Sequence, residues 1–253
     1  MNRNNNIFLL EEVIKKNFSS KYKESVLGIL WSVLNPLLTM ILLTIIFSTI
    51  FQRSIENYPV YLLSGRCIFS FFTAGTSAAM NSIRGSKTIL TKTPAPKFIF
   101  VLGGILSEFY NFLISLATLI VVMIVTGAPF NWTMLISFFP VLCLLGMVLG
   151  VGLILSIVIM YFNDINHLWS IVVMMLMYAS AIFYPMDIIP IHYRQFLILN
   201  PTFWAVDQFR CLFAYGTIPD PLNMFNFFVL SLIVLITGII VFKKFEKRII
   251  MKF

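Results

Sequence analysis

The sequence is short of charge. Asp, Glu, Lys and Arg make up only 11% of its 253 residues, while 59% are hydrophobic. Soluble domains carry about 25% charged residues and about half apolar ones. A soluble chain of this length could not hide so much apolar surface in one core, whereas lipid can accept it. Cysteine is scarce as well. Cys67, Cys143 and Cys211 are an odd number without metal-ligand spacing, which excludes a disulfide framework and a zinc site. The only histidines, His167 and His192, lie far apart. Catalytic signatures are missing too: there is no HExxH and no GxSxG. Gly85-Ser86-Lys87-Thr88 only echoes a phosphate-binding loop, lacking the adjacent Gly-Lys pair and a preceding strand. Asp164 with His167 at i+3 reads as a helix cap. It is also the one local acid–histidine pair that a membrane-embedded transferase could use.

What is present is a series of long apolar runs. A helix needs roughly 20 mostly apolar residues to cross the hydrocarbon. Six runs come near that length, the fifth being the shortest: Trp31–Phe51, Pro59–Met80, Phe98–Val125, Met134–Tyr161, Leu168–Phe183 and Phe225–Phe242. Open sheet edges have no partners in lipid, so the spans are expected to be helices. The reading is an all-α membrane protein with six transmembrane helices in one membrane domain, 1–253. Within it, 1–30 forms a cytoplasmic interface segment, 81–97 a cytoplasmic segment and 184–223 an outward one. No repeat or soluble domain interrupts it.

Orientation follows from the basic residues. An even number of spans puts both termini on one side. That side carries Arg3, Lys15, Lys16, Lys21, Lys23, Arg84, Lys87, Lys92, Lys97, Lys243, Lys244, Lys247, Arg248 and Lys252, fourteen of the 18 Lys and Arg. Arg53, Arg194 and Arg210 fall on the other side and Arg66 within a span. The positive-inside rule places the basic side in the cytoplasm. The net charge of +8 is thus a topological signal spread over three segments and gives no reason to invoke nucleic acid. The N-terminus does not have the form of a cleavable signal, because Glu11 and Glu12 directly follow the apolar Ile7–Leu10. Ile7, Leu10, Ile14 and Phe18 recur at helical spacing with Glu11, Glu12, Lys15 and Lys16 opposite them, the pattern of an amphipathic helix lying in the interface plane. Such a helix is either a simple anchor or one that also touches a cytoplasmic partner.

Three further features have two readings each. Asn81–Lys97 carries four basic residues and no acid, and Thr93-Pro94-Ala95-Pro96 would end a short helix within it. It is either a solvated basic loop or a docking helix. The outward segment Tyr184–Asn223 is largely apolar and divided by prolines, with short helices expected at Tyr193–Leu199 and Thr202–Tyr215. These are either interfacial, with Trp204 and Tyr215 in an aromatic belt, or a re-entrant lid over a path. Intramembrane charge is the third. Glu108 lies roughly 15 Å into its span and Arg66 roughly 10 Å into another, about 13 Å apart in depth, so a direct pair would need tilt or a bridging water. Glu108 either lines a polar path or is protonated and structural, and Asn111 shares its face.

The run Tyr22-Lys23-Glu24-Ser25-Val26-Leu27-Gly28-Ile29-Leu30-Trp31-Ser32-Val33-Leu34-Asn35-Pro36 resembles the entry to the first span in permease subunits of polysaccharide-exporting ABC transporters. These are the O-antigen, teichoic-acid and capsule exporters of the type-2 ABC permease superfamily. The likeness continues in one order through Leu90-Thr91-Lys92-Thr93-Pro94, Phe162-Asn163-Asp164-Ile165-Asn166-His167, Phe183-Tyr184-Pro185, Leu199-Asn200-Pro201 and Arg210. It departs at Asn163, where the family usually has Arg before the Asp, and at Thr93, where an aromatic residue usually precedes the proline.

The resemblance implies a half-transporter. Two copies would pair, and two copies of a separate ATPase subunit would dock beneath them. This chain would need no cofactor of its own, ATP and magnesium being held by that partner. Asn81–Lys97 would be the coupling helix, contacting the ATPase through Arg84, Lys87 and Lys92, with the Ile7–Phe18 helix beside it. Tyr184–Asn223 would hold the re-entrant helices. The cargo would be a glycan on a polyprenyl diphosphate lipid, with Phe69, Phe72, Glu108, Tyr110, Tyr178 and Tyr184 as candidates to line its path. A drug or small-lipid exporter of the same superfamily is the alternative. Asn131-Trp132-Thr133 is a glycosylation acceptor pattern in an outward loop.

Overall fold

A computed structural model of the chain describes residues 3–22, 27–28, 30–51, 55, 57–92 and 95–249. Among these residues the structure is helical throughout, with no strand. Helix α1 spans Arg3–Tyr22, α2 Leu30–Phe51, α3 Tyr58–Gly85, α4 Lys87–Lys92 and α5 Lys97–Thr126. Then come α6 (Phe138–Val158), α7 (Ile165–Tyr178), α8 (Ile191–Ile198), α9 (Pro201–Arg210) and α10 (Pro221–Ile249). A short 3-10 turn, Trp132–Leu135, precedes α6, and a π turn, Cys211–Tyr215, extends α9.

Three segments are long and apolar enough to cross a membrane: Lys97–Thr126, Trp132–Val158 and Pro221–Glu246. Leu30–Ile46 and Ile165–Tyr178 are shorter apolar helices. The long helix α3 owes its modest hydropathy to Ser64, Gly65, Arg66, Ser70, Thr73, Gly75, Thr76 and Ser77. The reason is positional. It packs against α2, α5, α6 and α9 at once, and more than half of its residues are buried. Small side chains let neighbouring helices approach, which drives association where lipid is as apolar as the core. Gly150 on α6 and Gly238 on α10 make that approach at the tightest helix pair, where a Cβ on either would strike the other helix's backbone. The core centres on Leu62, Leu63, Phe72, Leu144 and Phe209.

The expected spans fall on α2, α3, α5, α6, α7 and α10, with four main differences of extent, the fourth span being expected at Met134–Tyr161 and found as α6 at Phe138–Val158. The second helix runs on past Met80 to Gly85, and the last extends to Pro221 and Ile249. The fifth expectation ran to Phe183, but the helix stops at Tyr178 because side chains from elsewhere capture the next carbonyls. The stop expected at Thr93-Pro94 and the charges Lys23, Arg53 and Lys252 lie outside the described residues.

Two charges assigned to loops on topological grounds are buried instead. Lys97 is 6% exposed and its Nζ donates to the carbonyl of Glu246, 2.7 Å away in the last turn of α10. A cation suits that position, since helix C-terminal carbonyls lack amide donors. Arg210 is 6% exposed, for the reason given next.

Candidate functional site

Beyond Tyr178 the backbone unwinds. Ala181 has a φ of 49°, the left-handed region that non-glycine residues rarely adopt. Freed carbonyls must find other donors when buried. Arg210 supplies them: Nη1 donates to Ala181 O at 3.2 Å and Nη2 to Tyr61 O at 3.2 Å and Ile182 O at 3.4 Å. The guanidinium lies 3.5 Å over the Tyr61 ring, a cation–π contact in a desolvated place. The Tyr61 hydroxyl donates to Ala181 O at 3.0 Å and Tyr184 O at 2.6 Å, and the Tyr58 hydroxyl donates to Phe183 O at 3.0 Å. Gly65 makes room, because a Cβ there would lie 2.5 Å from Arg210 Nη2. Burial pushes the nearby Asp207 carboxyl above the usual carboxylate range, opposed by the charge of Arg210.

A second set of bonds fixes the next turn. Asn200 caps α9, accepting from the Thr202 amide at 3.0 Å, with Pro201 pre-set for the first helical position. Its Nδ2 donates back to Leu176 O at 3.2 Å and Ser180 Oγ at 2.9 Å. The break after α7 is therefore held from α3 and from α9, and α9 itself is wedged against α3, α6 and α10.

Toward the other end, a cavity of about 400 Å³ opens between α2, α3 and α5. Lys21, Ser32, Asn35, Arg66, Ser70, Glu108, Asn111 and Ser115 give it a polar lining, with Trp31, Phe71 and Phe112 among the apolar walls. Lys21 Nζ reaches Glu108 at 3.0 Å, and Asn111 Nδ2 donates to the same carboxylate at 2.9 Å. The pair expected to need a bridge, Glu108 with Arg66, is thus replaced by Glu108 with Lys21, although all three charges line one space. Eighteen uncharged residues, Phe109–Thr126, lie on α5 beyond Glu108, about 27 Å of helix. Ten uncharged residues, Phe98–Ser107, precede it on the same helix, so Glu108 stands about a third of the way along the span Lys97–Thr126, nearer its inner end.

The other sequence-derived residues are spread over the molecule. Phe69 and Phe72 are buried in the core, Phe72 beside Trp169 with ring centres 6.2 Å apart. Tyr110 is exposed in a groove with Glu11, Ile14, Lys15 and Phe18 of α1. Tyr178 is exposed, and the Tyr184 hydroxyl donates to its carbonyl. Helix α1 packs on α5, but its contact stripe differs from the expected one. Val13 is buried over Gly103, with Leu10 beside it, and Ile7 is exposed. Ile14 and Phe18 are half-buried in the groove. The glycine decides the rotation, since only there can a β-branched side chain seat against the α5 backbone. Arg84, Lys87 and Lys92 are exposed along the end of α3 and on α4. Asp164 occupies the residue before α7 without a side-chain capping bond. Asn131 packs against Gly216, and Thr133 donates to Leu212 O at 2.8 Å. The Trp204 indole donates to Ile198 O at 2.7 Å.

The unwound segment, the α9 cap and the clamp coincide with Phe183-Tyr184-Pro185, Leu199-Asn200-Pro201 and Arg210, the runs that carry the resemblance. A family model for ABC-2 type transporters matches residues 9–214, from α1 through the π turn. The chain belongs to the ABC-2 type transporter family. It is 28% identical over 245 residues to an O-antigen export system permease protein, RfbA, of Klebsiella pneumoniae, covering 95% of this chain and 93% of that one. It is 24% identical to RfbA of Myxococcus xanthus over 84% of this chain and 82% of the relative. With the polysialic acid transport protein KpsM of Escherichia coli it shares 22% identity over 95% of both. In this family member, the residues that sequence reasoning missed are Tyr61, Gly65 and Lys21. In the sequence Lys21 is one of many topological charges, and Tyr61 belongs to no motif.

Proposed function

We propose that this chain is the permease subunit of an ATP-driven exporter that moves a lipid-linked polysaccharide, such as an O-antigen or capsule glycan, across the cytoplasmic membrane. The observation that carries this reading is the end-to-end similarity to O-antigen export permeases, with family membership over residues 9–214. Two copies pair, six helices per copy cross the bilayer, and both termini face the cytoplasm. A separate ATPase subunit, also in two copies, binds ATP and magnesium and docks on Arg84, Lys87 and Lys92 with α1 alongside. Helices α8 and α9 re-enter from the outside. ATP turnover biases a two-state element, and the break after α7 supplies one, because its carbonyls are held by a few side chains rather than by helical bonds.

The test is deletion of the gene and complementation in its own host. Loss of surface glycan with accumulation of lipid-linked glycan inside, restored by the wild-type gene, is the expected result. Unchanged surface glycan with altered sensitivity to drugs would assign the chain to small-molecule efflux instead.

A further inference from the structure

The cavity between α2, α3 and α5 contains one charge left over. Lys21 and Glu108 neutralise each other at 3.0 Å. Arg66, half-buried on α3, lines the same space and has no hydrogen-bond or ion-pair partner among the described residues. The cavity thus holds a net positive charge inside a largely apolar bundle. Charges in such places are costly and mark pathways or ligands. Neutral polar groups line the same space: Asn35, Ser70, Asn111 and Ser115. The volume of about 400 Å³ lies in the range of small-ligand pockets, about 300–1,000 Å³.

The geometry is elongated. On α5 the lining runs from Glu108 to Ser115, about 10 Å along the axis. Cys67 Sγ reaches Ser115 O at 3.6 Å, so Arg66, its neighbour, stands near the far end of the cavity from the ion pair. A planar guanidinium presents a fork of N–H donors that matches phosphate oxygens. We propose that this cavity binds the phosphate group of a membrane lipid, with Arg66 as its anchor and the Lys21–Glu108 pair as the charged threshold at its inner end. The lipid is the diphosphate carrier of the exported glycan; that choice of lipid rests on the function proposed above, while the phosphate site does not. A phosphate crossing the threshold exchanges contact with Lys21 for contact with Arg66, and Glu108 keeps the threshold neutral when the cavity is empty.

Farnesyl diphosphate serves as the soluble probe, titrated into the purified full-length protein in nanodiscs made of neutral lipid. It is expected to bind, and Arg66→Gln is expected to weaken binding at least about tenfold while Arg66→Lys weakens it less. Ser70→Phe, which fills the cavity and keeps the charge, is expected to weaken binding as well, and decides the matter should Arg66→Gln fail to insert. Phosphatidylglycerol is then added as competitor. Failure to compete supports the carrier, whereas competition at equal potency keeps the phosphate site and assigns it to a bilayer lipid. Wild-type affinity in both Arg66→Gln and Ser70→Phe overturns the site. Binding in vitro does not depend on the cargo, so intact binding with unchanged surface glycan in the deletion strain would sink the export reading alone.

Discussion

Arg210 shows how one side chain can set the length of a helix. The apolar run from Leu168 to Phe183 has nothing in it that says where to stop. The stop is written in Tyr61 and Arg210, about 150 residues apart, which together with Tyr58 take the carbonyls of Ala181 to Tyr184. Local periodicity carries no trace of so distant a contact, which is why the end of α7 was not legible although its start was. Removing the guanidinium leaves several buried carbonyls short of a donor, each costing about 1–3 kcal/mol, so Arg210→Met is expected to destabilise by about 2–5 kcal/mol in thermal unfolding. Gly65→Ala places a methyl 2.5 Å from Arg210 Nη2 and is expected to cost about 1–3 kcal/mol through the same bonds. The two losses should therefore overlap. A double-mutant cycle is expected to show coupling of about 1 kcal/mol or more, and strict additivity would mean that Gly65 and Arg210 act separately.

The long helices were readable because lipid demands a composition over a length, and that demand is local. Helix α3 is legible for the same reason, but its inner end is not. Beyond Met80 the residues Asn81, Ser82 and Arg84 are polar, which marks the end of the lipid while the helix continues to Gly85. The helix α1 was found from its period, but the face that packs depends on Gly103, which is remote in sequence. Between α3 and α5, the six-residue α4 has no buried residue and adds Lys87 and Lys92 to Arg84 before it. Six residues cannot hold a helix in water, since nucleation alone is unfavourable and isolated helices are marginal below about 12–15 residues. Its basic residues are exposed, and under the function proposed above they serve docking. Charge reversal at Arg84, Lys87 and Lys92 together is expected to leave membrane insertion and thermal stability unchanged. Co-purification with the ATPase is expected to fall at least about tenfold, the size of effect that several opposed charges give at an interface. Normal recovery of the complex would remove the docking role from this helix.

The bundle is also uneven in what it covers. Helix α7 has no buried residue, and Leu168, Ile171, Met174, Met175 and Tyr178 are all exposed. At 14 residues it is about 21 Å long, short of the roughly 30 Å of hydrocarbon. Helix α2 likewise exposes Leu38, Ile41, Leu42 and Ile45. Lipid could cover either face, and the unwound stretch after α7 is already held by Tyr58, Tyr61 and Arg210. The exposed face of α7 carries Met174 and Met175, and methionine suits a surface that packs on protein because its flexible thioether fills irregular gaps. Under the pairing of two copies proposed above, the second copy is placed against α2 and α7. The purified protein is therefore expected to have a protein mass twice 29.0 kDa by light scattering in mild detergent. Met175→Cys is expected to form an intermolecular disulfide under oxidation, and Val125→Cys, on the 80% exposed outer end of α5, is not. Under the function proposed above, the purified chain is expected to show no ATPase activity, and measurable turnover by the chain alone would overturn that division of labour. A monomeric mass, or crosslinking through Val125 in preference to Met175, would place the second copy on a different face and leave the short helix needing another cover.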